Sequence, residues 1–331
     1  MPMKAGDLVR SPAYLYIMYT EGKYMKKLQF LYPSLSRKAL TFTIDDGNAK
    51  YDKPFLDILA PKGIKGTFNL CSNIHEGRED LTREFYEGYG VANHCKYHPL
   101  VNFDGVEYIV SEDKFDEQTS DPAKVYPVEG REGFFWVIRP NGWRQMIFEP
   151  DFSRYVVEGQ NELREIFGQD AIKDFVWPYG KQNSASVQQT IRNTHRSSRK
   201  TGCTFNLDGF AIPKDKYNWS YNADHSNLLE YMKAYEEYPD DGELKFFSFG
   251  VHSVDFDKFG KWDDLRTFAD IYGNRPDTYW YASVEDIFDY EEAVNALEMT
   301  DSEVKNPSAI TVYFELDGKV VALKGGEKYS I

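Results

Sequence analysis

The sequence predicts an α/β fold in which seven parallel strands, each followed by a helix, form a closed or nearly closed barrel. Short runs rich in apolar, β-branched and aromatic residues recur along the chain, and longer segments with helical spacing separate them. The runs are almost continuously apolar, as expected for parallel strands that helices cover. An open doubly wound sheet is the alternative, but no GxGxxG or GxxxxGKS/T loop supports its nucleotide-binding forms.

The elements are assigned in chain order from their length and periodicity. In the first unit, residues 39–44 (ALTFTI) predict a buried strand, and Phe55, Leu56 and Leu59 share one face of a predicted helix over 51–61. The other predicted strands are 66–70, 90–93, 174–177, 203–207, 244–250 and 279–282. The other predicted helices are 81–87, 155–167, 187–197, 228–238, 262–272 and 284–297.

Two segments fall outside this repeat. Residues from about 101 to 150 are too many for a plain connection, and the run GFFWVIR at 133–139 predicts a β-rich insertion. Residues 310–323 predict a β-hairpin because two strand-like runs flank a two-residue DG turn. The sequence therefore predicts a barrel domain over 1–300 and a small C-terminal hairpin appendage over 301–331.

The composition limits the classes of ligand. The 331 residues include 39 Lys plus Arg and 53 Asp plus Glu, a net charge of −14, which disfavours nucleic acids and anionic membranes. A neutral or cationic ligand is favoured, and 16% aromatic residues supply flat faces suited to stacking on sugars. Cys71, Cys95 and Cys203 are too few and too widely spaced for a disulfide framework or a CxxC zinc site.

The chain as given shows no membrane or export signal. No run approaches the ~20 apolar residues that span a bilayer, and the first ten residues lack the basic and apolar regions of a secretory signal. The sequence therefore predicts a cytoplasmic protein, or an exported one if a leader has been removed.

Reactive side chains follow four different predicted strands. In a βα barrel the carboxyl ends of the strands form one rim, which carries the active site. The residues that reach this rim are Asp45, Asp46, His94, His98, Trp177, Pro178, Tyr179 and His252. Alone, adjacent acids are usually solvated and a lone HxxxH is usually a surface feature, so the convergence of these residues is the stronger signal.

These residue types are suited to hydrolysis. One carboxylate and two histidines make a three-ligand site for a divalent metal, with positions open for water. The second carboxylate is able to take a proton from that water, and His252 is able to protonate the leaving group. No GxSxG motif supports a competing Ser/His/Asp triad. The residues therefore predict a metal-dependent hydrolase.

In this order the motifs resemble those of the polysaccharide deacetylases, the NodB-homology carbohydrate esterases. Residues 43–47 (TIDDG) resemble that family's TFDDG, residues 94–99 (HCKYHP) its HS/TxxHP, and residues 176–180 (VWPYG) its RxPYG. The two remaining motifs are represented by Asp215 with Trp219 and by His252.

The resemblance implies a distorted barrel of about seven βα units and metal-dependent removal of N- or O-acetyl groups from an acetylated sugar or glycan. The metal implied is zinc, with cobalt or another divalent ion as alternatives. By motif position, the implied roles are general base for Asp45, general acid for His252, metal ligands for Asp46, His94 and His98, and substrate binding for Trp177, Pro178, Tyr179, Asp215 and Trp219. In particular, the two tryptophans would wall the sugar site.

Three departures from the family pattern bear on activity. Val176 stands where the family has an arginine that orients the catalytic aspartate, and Arg139, Arg196 and Arg199 are the alternatives for that role. Cys95 replaces a Ser or Thr and brings a thiol close to the expected metal. The insertion is expected to cover the rim, which favours a short or unusual substrate.

Two other functions remain open from the sequence. One is a metal-dependent amidohydrolase of a small non-sugar amide, which the missing arginine suggests. The other is a non-catalytic carbohydrate-binding protein on the same fold. His195 and His225 are further rim candidates, although a structural role is favoured for both, and His75 is predicted to be solvated.

Overall fold

The computed structural model describes most of the 331 residues. The residues outside the description are 1–8, 12–13, 18–25, 74–80, 100–108, 140, 150, 183, 206–208 and 301. The helices are α1 Ala49–Leu59, α2 Ser153–Phe167, α3 Ala185–Thr194, α4 Leu228–Glu237, α5 Ser253–Lys258, α6 Trp262–Tyr272 and α7 Val284–Asn295. The strands are β1 Val9–Ser11, β2 Tyr14–Ile17, β3 Lys26–Leu31, β4 Lys38–Asp46, β5 Gly66–Leu70, β6 Gly90–Asn93, β7 Ile109–Val110, β8 Lys124–Pro127, β9 Phe134–Ile138, β10 Arg144–Phe148, β11 Asp174–Val176, β12 Ser197–Arg199, β13 Lys245–His252, β14 Trp280–Tyr281, β15 Glu298–Met299, β16 Glu303–Lys305, β17 Val312–Leu316, β18 Lys319–Leu323 and β19 Lys328–Ser330.

Seven parallel strands form the central sheet, in the order β12-β11-β6-β5-β4-β13, with β14 paired to the first residues of β4. The sheet and its helices make the distorted (β/α)7 barrel that the sequence predicts. Apolar side chains of β4 lie under the helices: Phe42 packs against Phe55 of α1, Phe249 of β13 and Phe268 of α6. This packing fixes β4 and β13 side by side, and both end at the same edge.

An irregular segment links the two outer strands, β12 and β13. Isolated bridges join Arg199 to Trp219 on the β12 side and Phe249 to Ala223 on the β13 side. The Gly250 N–H donates to the carbonyl of Ala223 at 2.8 Å. A Cβ at position 250 would lie 2.0 Å from the Tyr221 ring, so glycine is required there. Residues 211–223, called the closing segment below, therefore replace a ladder between the outer strands, which explains the distortion.

Two of the predicted elements are wrong. Residues 83–88 form turns instead of the helix predicted over 81–87. The described part of the strand predicted over 203–207 is irregular, and the strand beside β11 is β12 instead. Its sequence, SSR, is polar but fully buried, so apolar patterning gave no signal for it.

The insertion and the C-terminal hairpin are confirmed. Strands β7 to β10 form a separate four-stranded sheet over part of the predicted insertion. Strands β17 and β18 pair antiparallel around the predicted DG turn, and β17 also pairs with β3 near the other end of the chain. The division into domains at residue 300 stays a prediction, and Leu297 and Val304 pack in one cluster across it. No described helix has the length and apolar character needed to cross a membrane.

Candidate metal centre and active site

The strand register brings the predicted reactive residues to one edge of the sheet. Asp45, at the end of β4, is the register partner of Asn69 on β5 and of His252 on β13. Leu70 of β5 is in turn the partner of Asn93, which directly precedes His94. Because parallel strands end together, residues distant in sequence meet at this rim.

Asp46, His94 and His98 form a compact group of metal-ligating side chains. One ligand atom from each lies within 4.8 Å of the other two. The Asp46 Oδ1 atom is 3.5 Å from His94 Nε2 and 3.4 Å from His98 Nε2. These three are the residues that the sequence predicts as ligands.

Hydrogen bonding and charge prepare both imidazoles to bind a cation. His94 Nδ1 lies 2.8 Å from the Val176 carbonyl, which can only accept, so Nδ1 is the donor of this contact and Nε2 is the nitrogen that faces Asp46. Burial, together with the neighbouring His94, lowers the pKa of His98 to about 4, which keeps this ring neutral. Two imidazole nitrogens and one carboxylate suit zinc and similar divalent ions. The donor set therefore fits a divalent metal.

Backbone conformation at the rim is unusual. Asp46, Cys95 and Tyr179 all have positive φ, at 80°, 73° and 54°. Gly47 also has positive φ, and a Cβ there would lie 2.4 Å from Leu70 Cδ2, which explains the glycine of the TIDDG motif. Such strained positions concentrate at functional sites, where the surrounding structure holds them.

Asp45 is held by a buried arginine. Arg199 is fully buried and its Nη2 donates to Asp45 Oδ1, which also accepts from Asn69 Nδ2 at 2.7 Å. Burial alone would raise the pKa of Asp45, but the Arg199 guanidinium, aided by His94 and His252, lowers it. Asp45 is therefore kept as an oriented carboxylate.

Arg199 occupies a place equivalent to that of the arginine expected at Val176. The two residues are register partners on β12 and β11, and partners in neighbouring strands point to the same face. The other two alternatives pair elsewhere: Arg196 with Asp174 and Asp289, and Arg139 with Gln145. A guanidinium can thus reach Asp45 from one strand further along the sheet.

His252 has an acidic partner of its own. Its Nδ1 lies 3.0 Å from Asp255 Oδ2, and its Nε2 lies 3.9 Å from Asp46 Oδ2. Burial acts to lower the pKa of His252, but Asp45, Asp46 and Asp255 together raise it. His225 approaches the same Asp255 at 3.8 Å. His252 is therefore biased toward the protonated, proton-donating form.

The predicted substrate-binding residues are more scattered. The Tyr179 ring is half exposed at the rim, with its centroid 4.3 Å from that of His98. Trp177 is 1% exposed and packs against Phe152 and Phe175. Trp219 is 5% exposed and packs against Phe246 and Phe288. Buried this deeply, neither indole presents a face for stacking from solution, so we do not retain their predicted role as walls of the sugar site.

Pro178 is buried and directly follows Trp177, whereas Asp215 is exposed. The Asp215 carboxylate accepts the Tyr217 N–H and lines a small cavity of about 220 Å³. Among the described residues, no contact joins Asp215 to the Asp46, His94 and His98 group. The substrate-binding roles of Pro178 and Asp215 stay predictions.

The structure also bears on the expectations for Cys95 and His195. Cys95 packs in an apolar cluster, and burial raises its pKa to about 12, so it is a neutral thiol rather than a thiolate near the metal. His195 is buried against Asn93, with its Nε2 3.1 Å from the Asn93 Nδ2, and serves to fix the β6 end. His75 lies outside the described residues.

Sequence reasoning missed two contributors to the site, Asn69 and Asp255. A polar residue inside the apolar run GTFNL was the available signal for Asn69. Asp255 follows His252 at a spacing of three, which places both on one side of a starting helix.

Comparison with known proteins supports the same assignment. Residues 33–197, about half of the chain, match the family model described as polysaccharide deacetylase. A search of curated proteins finds no match. The chain is also similar to solved structures at low sequence identity. The Xyl-CE4 domain of a multidomain xylanase from the hindgut metagenome of Trinervitermes trinervoides is 14% identical, with a TM-score of 0.44 over 77% of this chain and 92% of that one.

The family 4 carbohydrate esterase from Streptomyces lividans is 13% identical, with a TM-score of 0.39 over 70% of this chain and 86% of that one. A peptidoglycan deacetylase from Bacillus subtilis is 15% identical, with a TM-score of 0.42 over 78% and 94% of the two chains. These likenesses are too distant to assign an activity, and the assignment to a family follows from the sequence match and the motifs. The chain belongs to the polysaccharide deacetylase family, hydrolases of acetyl groups on carbohydrates.

Proposed function

We propose that this protein is a metal-dependent deacetylase that hydrolyses N- or O-acetyl groups on a carbohydrate. The observation that supports this most strongly is one grouping at the rim. Asp46, His94 and His98 converge within 4.8 Å, and the same edge of the sheet carries the oriented carboxylate of Asp45 and His252, whose pKa is raised. A structural role alone gives no reason to gather these groups in a strained backbone.

Each side chain has a role in this proposal. Asp46, His94 and His98 would hold the divalent ion. When bound, the ion supplies Lewis-acid chemistry for the acetyl carbonyl and the attacking water. Asp45 removes a proton from that water, and its hydrogen bonds from Arg199 and Asn69 hold the carboxylate in one orientation.

His252 completes the reaction at the leaving group. A new bond forms between the water oxygen and the acetyl carbon, and the bond from that carbon to the sugar nitrogen or oxygen breaks. His252, kept protonated by Asp255, donates its proton to the departing atom. The products are acetate and the free amine or hydroxyl of the sugar.

The class of substrate is proposed from the family and from charge. Residues 33–197 match the family model described as polysaccharide deacetylase, so an acetylated glycan is the substrate class that we propose. A net charge of −14 favours neutral glycans over polyanionic ones. One motive for the small-amide alternative was the missing arginine, and Arg199 removes that motive because it reaches Asp45.

The first test is a zinc titration of metal-stripped protein by calorimetry. We expect one zinc ion to bind per chain in the wild type and in Asp45→Asn, and binding to be lost in the double variant His94→Ala, His98→Ala. The zinc-loaded proteins are then assayed for acetate release from acetylated oligosaccharides. We expect turnover in the wild type and none in Asp45→Asn. Turnover that survives in Asp45→Asn, or zinc binding that survives in the double variant, contradicts the roles proposed.

A further inference from the structure

A second cavity, of about 640 Å³, adjoins the metal group. His98 belongs to the metal group and is also one of the residues that line this cavity. One wall is the segment after β6, with Lys96 and Tyr97, and another is the first part of α2, with Arg154 and Glu158. The third wall belongs to the insertion and consists of Gly130, Arg131 and Glu132, from the turn between β8 and β9, and Phe134, the first residue of β9. The volume is in the range of about 300–1,000 Å³ that is usual for small-molecule sites.

The lining combines aromatic rings with paired charges. The rings of Tyr97 and Phe134 lie 6.1 Å apart, edge to face. Lys96 is paired with Glu158 at 2.8 Å and with Glu162 at 2.9 Å. Because this ammonium group already has carboxylate partners, it exerts little net pull on a charged ligand.

The arginines of the cavity differ from each other. Arg154 is paired with Glu132 at 2.9 Å and approaches Glu149 at 3.7 Å. Arg131 has no carboxylate partner among the described residues. Its guanidinium lies 5.9 Å from the centroid of the Phe134 ring, and its Nη1 contacts the Met146 sulfur at 3.7 Å. Arg131 therefore offers N–H donors at the mouth of the cavity, beside an aromatic ring.

We infer that this cavity is a subsite for a neutral sugar residue, the one next to the acetylated residue in the glycan chain. Aromatic faces beside polar donors and acceptors match the apolar faces and hydroxyl groups of a pyranose. Since His98 is shared, a chain whose acetyl group lies at the metal group can continue into the cavity. The insertion then builds a binding site beside the rim, whereas the sequence predicts that it covers the rim. This inference rests on the proposed function.

The test compares a long and a short substrate on zinc-loaded enzyme. The long one is an acetylated pentasaccharide, fully N-acetylated chitopentaose or acetylated xylopentaose, whichever the wild type deacetylates. The short one is 4-nitrophenyl acetate, which has no sugar to place in the cavity. For Arg131→Ala we expect KM for the pentasaccharide to rise about tenfold, because the substrate loses roughly one hydrogen bond from a charged donor. Its kcat, and the turnover of 4-nitrophenyl acetate, should stay unchanged.

Two further variants make the test specific. Phe134→Leu removes the aromatic face with little change of volume and should act in the same direction. Arg144→Ala removes an exposed arginine from the same inserted sheet, outside the cavity, and should change neither substrate. An unchanged KM for the pentasaccharide in Arg131→Ala and Phe134→Leu, or an equal loss on both substrates, would overturn the subsite.

The design separates failure of the subsite from failure of the proposed function. If the wild type releases acetate from neither pentasaccharide, the proposed function fails. Calorimetric binding of the same two sugars then tests the cavity directly. Binding that Arg131→Ala weakens still supports the subsite, and absence of binding to the wild type overturns it.

Discussion

Two buried carboxylates, Asp45 at the end of β4 and Asp52 on α1, have opposite electrostatic environments. Both are almost inaccessible, at 7% and 0% exposed. Asp45 faces the guanidinium of Arg199, and its pKa is lowered. The described side chains that donate hydrogen bonds to the Asp52 carboxylate are neutral hydroxyls, Ser253 Oγ at 2.6 Å and Tyr86 Oη at 2.8 Å. Burial raises the pKa of Asp52 to about 6. The presence of a cation, rather than burial, decides whether the pKa of the carboxyl group is lowered or raised.

The two residues therefore act oppositely on stability as the pH changes. Asp45, with a lowered pKa, contributes stability above its unfolded pKa of about 4, and this contribution is lost as the pH falls through its folded value. Asp52, with a raised pKa, contributes stability below that unfolded value, and this contribution is lost as the pH rises toward about 6. The first environment keeps the Asp45 carboxylate ionised and oriented, as its proposed role as a base requires.

The largest expected effect comes from making Asp45 resemble Asp52. Arg199→Met removes the cation and the hydrogen bond that orients the buried carboxylate, so the pKa of Asp45 should rise and its carboxylate should lose its fixed orientation. We expect kcat/KM at pH 7 to fall by about a hundredfold, the scale of general-base catalysis. Breaking a buried ion pair should also lower the free energy of unfolding by about 3–5 kcal/mol. Initial rates across pH and urea unfolding measure the two effects.

Two variants show whether the effect belongs to the Asp45 contact. Arg196 directly precedes β12 and forms different ion pairs, with Asp174 and Asp289. Arg196→Met should therefore reduce stability without loss of activity. In Val176→Arg combined with Arg199→Met, a guanidinium returns on the register partner of position 199, and part of the activity should return with it. A hundredfold loss in Arg196→Met as well would show that the effect is only structural.

The same comparison shows what the sequence was able to predict. Asp45, Asp46, His94 and His98 were predictable because they lie at or just after the ends of two predicted strands, β4 and β6, and parallel strands end at one rim. Arg199 was named only as one of three alternatives, because β12 is three polar residues long and has no apolar pattern. The closing segment pairs through isolated bridges, so no periodicity could have shown that Trp219 lies in the core. Tertiary pairing, and not local propensity, decides such places.

A smaller effect is expected at His252. Asp255→Asn removes one of the carboxylates that raise the pKa of His252, so this pKa should fall. Because the protonated form donates the proton, activity should be lost at a lower pH, and the basic limb of the kcat/KM profile should move down by about one pH unit. The acidic limb should not move. Asp257→Asn, on the same helix but bonded to Trp262, is the matched control. A basic limb that stays in place in Asp255→Asn would contradict the proposed role of His252.

The last expected effect concerns stability and not activity, and it tests the other side of the comparison. The folded-state pKa of Asp52, about 6, exceeds the unfolded value of about 4, so between these limits the folded state binds more protons. The free energy of unfolding should therefore contain a term that falls by about 1.4 kcal/mol per pH unit from pH 4 to 6 and is constant above. Asp52→Asn should remove this term, whereas Asp57→Asn, an exposed position on the same helix, should retain it. Urea unfolding at pH 4.5, 5.5 and 7 measures the slope. Equal slopes in the wild type and Asp52→Asn would mean that Asp52 is already ionised by its hydroxyl partners, and that neutral donors alone can do for Asp52 what Arg199 does for Asp45.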